Sequence, residues 1–393
     1  MDMLQEIHLW DLPQNNLYIK LKPKFAQRFF LLAHNQFGSW KLLGEAIQIR
    51  RGDTILARNW KNNDVCYPLK KIFEIANLLD VSYSLIEKNL LEIKAKTFLN
   101  KRGGSAGKPL VNPKFPINIT PDFCEMLGHI SGDGTISRTN PKKGIALKYI
   151  NSELTLLNEF KKLINNVFGR IEPNVIIRTD KKWYRRPNYV LQYPTIISYI
   201  VLAFWDYRTN DNMSFPRFIH TVDEDCKCAF LRALFDDEGC IPGKRKKIQI
   251  GMKPLENIED IKKLLDSLGI YVKRIERGRL NRLTLARHDA IITFHKRIGF
   301  KHPQKKQKLD NIIKIGWNFR PKYNHVIRDW IFNYTNKGDQ LTCKILSRKF
   351  KFSLSNARVY LRGLESRGQL KSEIISSGRF IRYKEYYLTN GKS

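Results

Sequence analysis

The sequence predicts an α+β protein with a duplicated αββαββα unit at its centre, an all-α domain before it, and three helices with a hairpin after it. Two observations predict the duplication. Two helical stretches each end in an acid followed by glycine, and the same order of extended and helical patterns follows each of them. A length of 393 residues also leaves room for two or three domains that each bury a core.

The two helical stretches are Phe123–Gly134 and Cys228–Gly239, and apolar residues recur at helical spacing in both. Small residues interrupt each apolar stripe, at Gly128, Gly132, Ala229 and Ala233. A glycine inside a helix costs about 1 kcal/mol relative to alanine, so close approach of a second backbone is the expected reason for it. If the two helices pack through these positions, Asp133 and Glu238 lie side by side and repel unless a cation lies between them. A single helix of this kind is best explained as an ordinary amphipathic helix that ends in a solvated acid. Because the same pattern occurs twice, a functional role for the two acids is the better explanation.

The same stretches resemble the nine-residue signature of the LAGLIDADG homing endonucleases. Met126–Gly134 (M-L-G-H-I-S-G-D-G) is one copy and Leu231–Gly239 (L-R-A-L-F-D-D-E-G) is the other. The resemblance implies a double-motif, monomeric enzyme of the duplicated LAGLIDADG fold, which cleaves DNA with Mg²⁺ or Mn²⁺. It places the metal-binding acid at the eighth motif position, Asp133 and Glu238, with the backbone carbonyls of Gly132 and Asp237 as further ligands. The sequence departs from the signature at His129, Ser131 and Arg232.

Phosphodiester cleavage needs an activated water, neutralised phosphate charge and a stabilised leaving oxygen, and divalent metals between carboxylates supply all three. Mg²⁺ prefers oxygen ligands and keeps several waters, so one acid from each repeat, together with backbone carbonyls and the scissile phosphates, is a sufficient set of ligands. A basic group that orients water is expected near each acid, with Lys148, Lys253 and Arg287 as candidates. The side chains of Asp236 and Asp237 are expected behind the metal ligands or in solvent.

After each motif the predicted elements follow in the same order. In the first half they are Gly144–Asn151, helix Ser152–Phe168, strands Asn174–Trp183 and Tyr189–Tyr193, and helix Thr195–Trp205. In the second half they are Lys247–Met252, helix Leu255–Leu268, strands Tyr271–Glu276 and Leu280–Ala286, and helix Asp289–Ile298. We therefore predict a central domain over residues 119–321, with halves 119–222 and 223–321. Ile298–Leu309 resembles the tail that ends many LAGLIDADG domains.

The formal net charge of +33 is spread along the chain, because the segments divided at residues 108 and 321 carry about +7, +16 and +10. Double-stranded DNA is the first partner that this charge suggests, although charge alone fits a ribosomal or membrane-surface protein equally well. Basic and amide side chains on the predicted strands could read the major groove, or could form an ordinary solvated sheet face. The candidates are Arg178, Lys181, Lys182, Arg185, Arg186, Lys244, Arg245, Lys246, Lys247, Gln249, Lys273, Arg274, Arg277, Arg279, Asn281 and Arg282.

Residues 1–95 are predicted to form an all-α domain, wholly helical from about residue 17, with short helices joined by turns. Trp40–Arg58 and the following Pro68–Leu79 resemble the repressor-type helix-turn-helix family, against the alternative of a plain helical bundle. Residues 96–118 contain Gly103, Gly104 and several prolines, and predict a basic linker.

Residues 322–393 predict three helices, His325–Asn333, Cys343–Lys349 and Ser355–Arg367, and a hairpin. This plan and Ser355–Gly368 resemble a winged helix, a module that binds DNA and in some cases protein.

No run of about 18 apolar residues exists, and no basic region followed by an apolar core opens the chain. We expect a cytoplasmic protein in a DNA-containing compartment such as the nucleoid, and not a secreted one. Six cysteines do not form a disulfide scaffold or a complete zinc site. The first and last residues do not match those of an intein, so we expect a free-standing endonuclease. The alternative is a transcription regulator built on the LAGLIDADG fold that binds DNA without cleaving it.

Overall fold

The computed structural model describes residues 6–50, 55–60, 65–95, 107–137, 145–179, 187–207, 214–242, 246–272, 274–314, 324–336, 338–351, 353–377 and 381–388. The chain forms two compact units, residues 1–310 and 311–393.

The central part of the first unit runs twice through helix, two strands, helix, two strands and helix, as predicted. The elements of the first half are α5 (Pro121–Ser131), β7 (Gly134–Ser137), β8 (Ala146–Asn151), α6 (Leu154–Phe168), β9 (Asn174–Arg178), β10 (Asn188–Tyr193) and α7 (Thr195–Phe204). Those of the second half are α8 (Glu224–Glu238), β11 (Gly239–Cys240), β12 (Ile248–Met252), α9 (Leu255–Ser267), β13 (Ile275–Glu276), β14 (Asn281–Leu285) and α10 (His288–Arg297).

The two antiparallel sheets have the same strand order, β7-β8-β10-β9 in one half and β11-β12-β14-β13 in the other. The registers also match, because Gly134 pairs with Tyr149 where Gly239 pairs with Ile250. The predicted duplication is therefore confirmed. One predicted strand is shorter than expected, since Tyr271–Glu276 yields only Ile275–Glu276.

Each sheet turns one face toward its helices. Leu147 and Tyr149 of β8 are buried, and Tyr149 stacks on Phe160 of α6 with ring centroids 4.4 Å apart. Because side chains alternate along a strand, the neighbouring Lys148 and Ile150 point to the other face of the sheet. We call this second face of each sheet the cleft face.

The prediction of a wholly helical segment from residue 17 to 95 is wrong. The helices α1 (Pro23–Phe37), α2 (Trp40–Ala46), α3 (Leu69–Leu78) and α4 (Tyr83–Lys88) and the π-helix Ile55–Trp60 are present, but a four-stranded sheet accompanies them. Its strands are β2 (Leu17–Leu21), β3 (Tyr67–Pro68), β4 (Leu90–Ala95) and β5 (Leu110–Val111). β2 buries every second residue, which is the period of a strand and not of a helix. The domain is thus α+β, and residues 83–95, which were predicted to be helical, form a short helix followed by a strand.

The described part of the predicted linker does not behave as a linker. β5 pairs with β4, and Ile117–Asn118 (β6) pairs with β1 (Glu6–Ile7). The backbone of Val111 exchanges two hydrogen bonds of 2.9 Å with Arg170, at the end of α6. Residues 107–118 therefore join the N-terminal sheet to the first half of the central domain by continuous backbone pairing.

From residue 324 onward, the part of the second unit that the structure describes has three helices and a three-stranded sheet. They are α12 (Asn324–Asn336), β15 (Leu341–Thr342), α13 (Cys343–Lys349), α14 (Leu354–Glu365), β16 (Leu370–Ser377) and β17 (Ile381–Leu388), with strand order β15-β17-β16. Ile331, Leu346, Leu361 and Tyr386 lie in one buried core. The predicted helices and hairpin are present, and β15 is an additional strand that the sequence did not suggest. The helix α11 (Pro303–Lys314) comes before these elements in the chain, and the boundary between the two units falls within it.

Candidate active site

The two motif helices, α5 and α8, pack against each other through their small residues. A Cβ atom added at Gly128 would lie 2.3 Å from the carbonyl oxygen of Phe230 and 2.8 Å from Cβ of Ala233. One added at Gly132 would lie 2.6 Å from Cβ of Asp237. No side chain fits at such distances, so the two backbones can come this close only where glycine stands. The packing that the interrupted apolar stripes predicted is confirmed.

This packing brings the two motif acids together at one end of the helix pair. Glu238 is the last residue of α8, and Asp133 directly follows Gly132, which caps α5. Burial raises the pKa of Asp133 to about 8, with further increases from the charges of Asp237 and Glu238. Burial and the charge of Asp237 likewise raise the pKa of Glu238. The raised pKa values indicate that the negative charges of these acids are not fully compensated, and a bound cation would compensate them.

The side chain of Asp237 lies fully buried between the two halves. Its carboxylate contacts His129 Nδ1 at 3.0 Å and accepts hydrogen bonds from Tyr149 Oη at 2.8 Å and Asn151 Nδ2 at 3.4 Å. Burial lowers the pKa of His129, but the charge and hydrogen bond of Asp237 outweigh it and raise that pKa overall. A carboxylate of the second half is thus surrounded by polar side chains of the first half.

Asn151 connects this buried network to the motif acid of the first half. Its Nδ2 atom donates to Oδ2 of Asp133 at 2.8 Å, as well as to Asp237. Because Asn151 ends β8, the sheet register determines where the Asp133 carboxylate points. Asn151 is therefore a positioning residue for Asp133, and the sequence motif alone did not indicate it.

A lysine from α11 reaches the C-terminal end of α8. Nζ of Lys305 donates to the carbonyl oxygens of Phe235 at 3.2 Å and Asp237 at 3.3 Å, and also to that of Asp236. Burial lowers the pKa of Lys305, and the charges of Asp236, Asp237 and Asp133 partly oppose this. Lys305 is thus a cation held beside the acid pair.

Asp236 fixes the segment that carries this lysine. Its carboxylate accepts hydrogen bonds from the backbone N–H groups of Lys301 at 3.0 Å and His302 at 2.9 Å. Burial raises the pKa of Asp236 to about 6, although the two backbone donors lower it in part. Neither Asp236 nor Asp237 is solvated, so one of the two environments expected from the sequence is excluded.

The three basic residues suggested from the sequence take different positions. Arg287 is exposed and forms an ion pair with Asp289, with hydrogen bonds of 3.1 and 2.5 Å. Lys253 follows β12, and its carbonyl accepts from Asn281 Nδ2 at 2.6 Å. Lys148 lies on the cleft face of β8, paired with Thr135. Lys305 was not among the candidates from the sequence. It lies within Ile298–Leu309, the segment that resembles the family's tail, and that resemblance could have indicated it.

The predicted ligand set for a metal ion is only partly supported by the geometry. Asp133 and Glu238 are close enough to raise the Asp133 pKa. The Asp237 carbonyl, however, already accepts a hydrogen bond from Lys305. Within the described ranges no three His, Cys, Asp or Glu side chains are arranged to hold a metal ion. A metal ion here would depend on two carboxylates together with backbone, water and phosphate oxygens, which is an accepted environment for Mg²⁺.

A cleft of about 390 Å³ opens beside Asp133 on the cleft face of the first sheet. Residues of the motif turn and of three strands line it, namely Gly132, Asp133, Gly134, Thr135, Ile150, Asn151, Ser152 and Asn188. Since Ile150 points away from the helices, the opening beside Asp133 lies on the cleft face.

The predicted DNA contacts divide into three groups. Arg178, Arg274, Arg277, Arg279 and Arg282 are exposed, and Lys246 and Lys247 are half-buried. Gln249 and Asn281 are buried, and their amides donate within the protein to Thr284 Oγ1 at 2.8 Å and to the Lys253 carbonyl. These two amides already have partners, so the expectation that they bind bases is not supported. Lys181, Lys182, Arg185, Arg186, Lys244, Arg245 and Lys273 lie outside the described residues.

Residues 225–299 match the family model of the LAGLIDADG-like domain. The second half of the duplicated unit is therefore similar to this domain over its matched residues. The match includes the second motif, from Leu231 to Gly239, and the sheet β11-β12-β14-β13.

Curated relatives match only part of this chain. The glutamine–fructose-6-phosphate aminotransferase (isomerizing) of Methanocaldococcus jannaschii is 30% identical over 224 residues, which is 53% of this chain and 19% of that protein. A DNA polymerase of Thermococcus sp. strain GE8 is 26% identical over 163 residues, 40% of this chain and 9% of that protein. The chain thus spans less than a fifth of the length of these relatives.

Among solved structures, the homing endonuclease I-DmoI in complex with DNA and Mn is 16% identical, over 46% of this chain and 97% of that one, with a TM-score of 0.35. Full-length DUF199/WhiA from Thermatoga maritima is 15% identical, over 65% of this chain and 93% of that one, with a TM-score of 0.37. The DNA and manganese in the first structure are properties of that complex. In the part of the present chain that the structure describes, no helix has the length and apolarity needed to cross a membrane.

Proposed function

We propose that the chain is a sequence-specific DNA endonuclease of the double-motif homing type, which makes a metal-dependent double-strand break with short 3′ overhangs. The observation that carries this proposal is the acid pair beside an open cleft, where burial, and then the charges of Asp237 and Glu238, raise the pKa of Asp133 to about 8. Burying two neighbouring carboxylates destabilises the folded chain, so their presence suggests a functional role. The similarity to the LAGLIDADG-like domain suggests that this role is to bind a divalent cation.

Asp133 and Glu238 are the proposed metal-binding residues, with Mg²⁺ or Mn²⁺ as the ion and the Gly132 carbonyl as a further ligand. Bound there, a divalent ion would neutralise phosphate charge and activate water for attack. Lys305 is the proposed basic partner, because its lowered pKa and its place beside the acids suit a group that donates positive charge or transfers a proton. Asn151 holds the Asp133 carboxylate in one orientation.

The proposed substrate is a long, asymmetric duplex lying across the cleft faces of both sheets, bound by one chain. Two halves with one motif acid each are present in a single chain, so a second copy is not needed. We also propose that residues 1–95 act as a helix-turn-helix module and residues 322–393 as a winged-helix module, both extending the DNA contact. A cytoplasmic, DNA-containing location is part of the same proposal.

The names of the matched proteins do not transfer to this chain. An aminotransferase, a DNA polymerase, a replication factor C small subunit and a ribonucleotide reductase subunit share no activity, and the matched part is 9 to 19% of each. We infer that the shared part is a module separable from those activities.

One observation favours a second candidate function. The Asp237 carbonyl was expected to bind the metal ion. It already accepts a hydrogen bond from Nζ of Lys305, so the lysine takes the place of one expected metal contact. A cation tethered in this way could stabilise the acid pair without any metal ion. The alternative is therefore a DNA-binding transcription regulator with a LAGLIDADG-derived fold that does not cleave.

Cleavage of a duplex library with and without Mg²⁺ separates the two candidates. We expect metal-dependent cleavage by the unaltered chain, no cleavage by Asp133→Asn or Glu238→Gln, and nearly unchanged binding by both variants. Glu256→Gln, at an exposed position on α9, is the matched control and should cleave normally. Undiminished cleavage by either motif variant would exclude the assigned site, and sequence-specific binding without cleavage would favour the regulator.

Two additions to this assay test Lys305 and the monomer. Lys305→Met should slow cleavage by roughly 100-fold or more, whereas Lys306→Met, at the exposed neighbouring lysine, should not. Equal effects of the two lysine variants would remove Lys305 from the mechanism. Sedimentation of the DNA complex should give one chain per duplex, and two chains on a palindromic site would contradict the single-chain arrangement.

A further inference from the structure

The matching registers of the two sheets identify equivalent positions on their cleft faces. In the first half, Val190 pairs with Ile150 of β8 on one side and with Ile176 of β9 on the other. In the second half, Arg282 pairs with Gly251 of β12 and with Glu276 of β13. Because Ile150 and Gly251 both lie one residue beyond the partner of the motif glycine, Val190 is equivalent to Arg282, and Ile176 to Glu276.

These equivalent pairs belong to the cleft face in both halves. Ile150 lines the cleft beside Asp133, and directly paired residues of antiparallel strands share a face. In the second half, Leu283 and Ile250 are buried on the helix side, so their neighbours Arg282 and Gly251 point the other way. A duplex lying across both cleft faces, as proposed, would meet the two pairs at equivalent places.

The chemistry of the two pairs is opposite. Ile176 is 47% exposed and lies over the buried Val190, so the first half presents an apolar surface. Arg282 and Glu276 are both exposed, so the second half presents a donor fork beside a carboxylate. Within the described part of the chain, Arg282 and Glu276 form no ion pair with each other, although they are direct cross-strand partners. Ile150, Val190 and Ile176 form one apolar strip on the cleft face of the first half, and such a surface complements an apolar group on a ligand.

In the major groove, an apolar side chain recognises the thymine methyl group, an arginine binds guanine O6 and N7, and a carboxylate accepts from cytosine N4. We propose that Ile176 selects an A·T pair in one half-site and that Arg282 with Glu276 selects a G·C pair at the mirror position of the other. This inference rests on the proposed DNA binding but not on cleavage. It makes these three side chains determinants of the target's asymmetry.

The test is a binding selection from a randomised duplex library with the full-length chain in EDTA, so that cleavage plays no part. For the unaltered protein we expect one position with A·T, and the position related to it by the pseudo-two-fold axis with G·C. The preference for G·C should be on the order of 10-fold, within a range of roughly 5- to 150-fold. A target with the same base-pair type at both positions would overturn the inference.

Two variants assign the preferences to the named residues. Glu276→Ile with Arg282→Val copies the first half into the second, so A·T should be selected at both positions. Arg282→Gln, a change at an exposed side chain, should shift the preference from guanine toward adenine, because glutamine binds adenine in the same groove. An unchanged G·C preference in Arg282→Gln overturns the assignment, and this variant keeps the test valid if the double variant does not fold.

Arg277→Ala is the matched control, because Arg277 is exposed and lies in the turn between β13 and β14 and not on a strand. It should weaken binding to all sequences alike and leave the preferences intact. A chain that selects no sequence at all would refute the proposed DNA reading together with this inference. A chain that selects the expected asymmetric site but never cleaves would refute only the proposed endonuclease activity.

Discussion

Replacing Asp133 by asparagine should stabilise the protein in the absence of metal, even though it removes the proposed activity. The Asp133 pKa is raised from 3.8 to about 8, mainly by burial and then by the charges of Asp237 and Glu238. A carboxyl whose pKa is higher in the folded state contributes stability below pH 3.8, and that contribution is lost as the pH rises toward 8. Asparagine has nearly the same shape but no proton to lose.

The size of the effect follows from the pKa difference. At pH 7 the difference amounts to roughly three pKa units, or about 4 kcal/mol as an upper value. For a unit of 310 residues this corresponds to an increase in Tm of about 6 °C. The difference between variant and unaltered protein should vanish near pH 4 and be largest near pH 8.

Calorimetry at pH 4, 6 and 8 in EDTA measures this difference directly, with Glu256→Gln as a control that should show no such trend. Adding Mg²⁺ at pH 8 should then stabilise the unaltered protein and not Asp133→Asn, because the carboxylate that binds the ion is gone. If Asp133→Asn is destabilised at pH 8, or if its effect does not change with pH, burial of a repelling acid pair is not what governs this site.

The structure supports two further predictions. Gly128→Ala should lower the free energy of unfolding by about 1–3 kcal/mol, because its Cβ would meet the Phe230 carbonyl at 2.3 Å, whereas Gly363→Ala, in a helix with open space around it, should raise it by about 1 kcal/mol. Equal effects on chemical denaturation would show that helix propensity, and not close packing of α5 and α8, explains Gly128. Arg358→Ala and Arg362→Ala, exposed and one turn apart on α14, should each reduce the salt dependence of DNA binding by about one unit of log–log slope. An unchanged slope would indicate that the second unit binds something other than DNA.

The sequence was sufficient for the parts of the site that depend on local periodicity. Apolar spacing, interrupting glycines and a terminal acid predict both motif helices, and the repeat of these features predicts that Asp133 and Glu238 meet. The order of strands and helices after each motif was also predictable, because each half repeats one plan. The start of β13 and the whole of the two-residue strand β15 were not, since so short a stretch carries no periodicity.

Features that depend on distant partners could not be read from the sequence. β2 and β4 form a sheet between residues about 70 positions apart, and a helical pattern was predicted where β4 begins. Residues 301–314 contain five lysines. The side chain of Lys305 donates to the carbonyls at the end of α8, and nothing in the local sequence distinguishes it from the other four. Gln249 and Asn281 have the side chains that bind adenine, yet cross-strand and loop partners already use their amides.

The crossing point of the motif helices argues against two identical halves. Gly132 and Asp237 occupy the same motif position, one residue before each acid, and a Cβ atom at Gly132 would lie 2.8 Å from Oδ2 of Asp237. The Asp237 carboxylate therefore fills the space that Gly132 leaves, and His129, Tyr149 and Asn151 of the first half surround it. Two copies of the second half would place two carboxylates in one space, and two copies of the first half would leave the buried polar groups of His129, Tyr149 and Asn151 without their carboxylate partner. Both arrangements are costly, since a buried charge or donor without a partner costs several kcal/mol. The centre of the site is thus complementary only between unlike halves, which favours a single chain reading an asymmetric target.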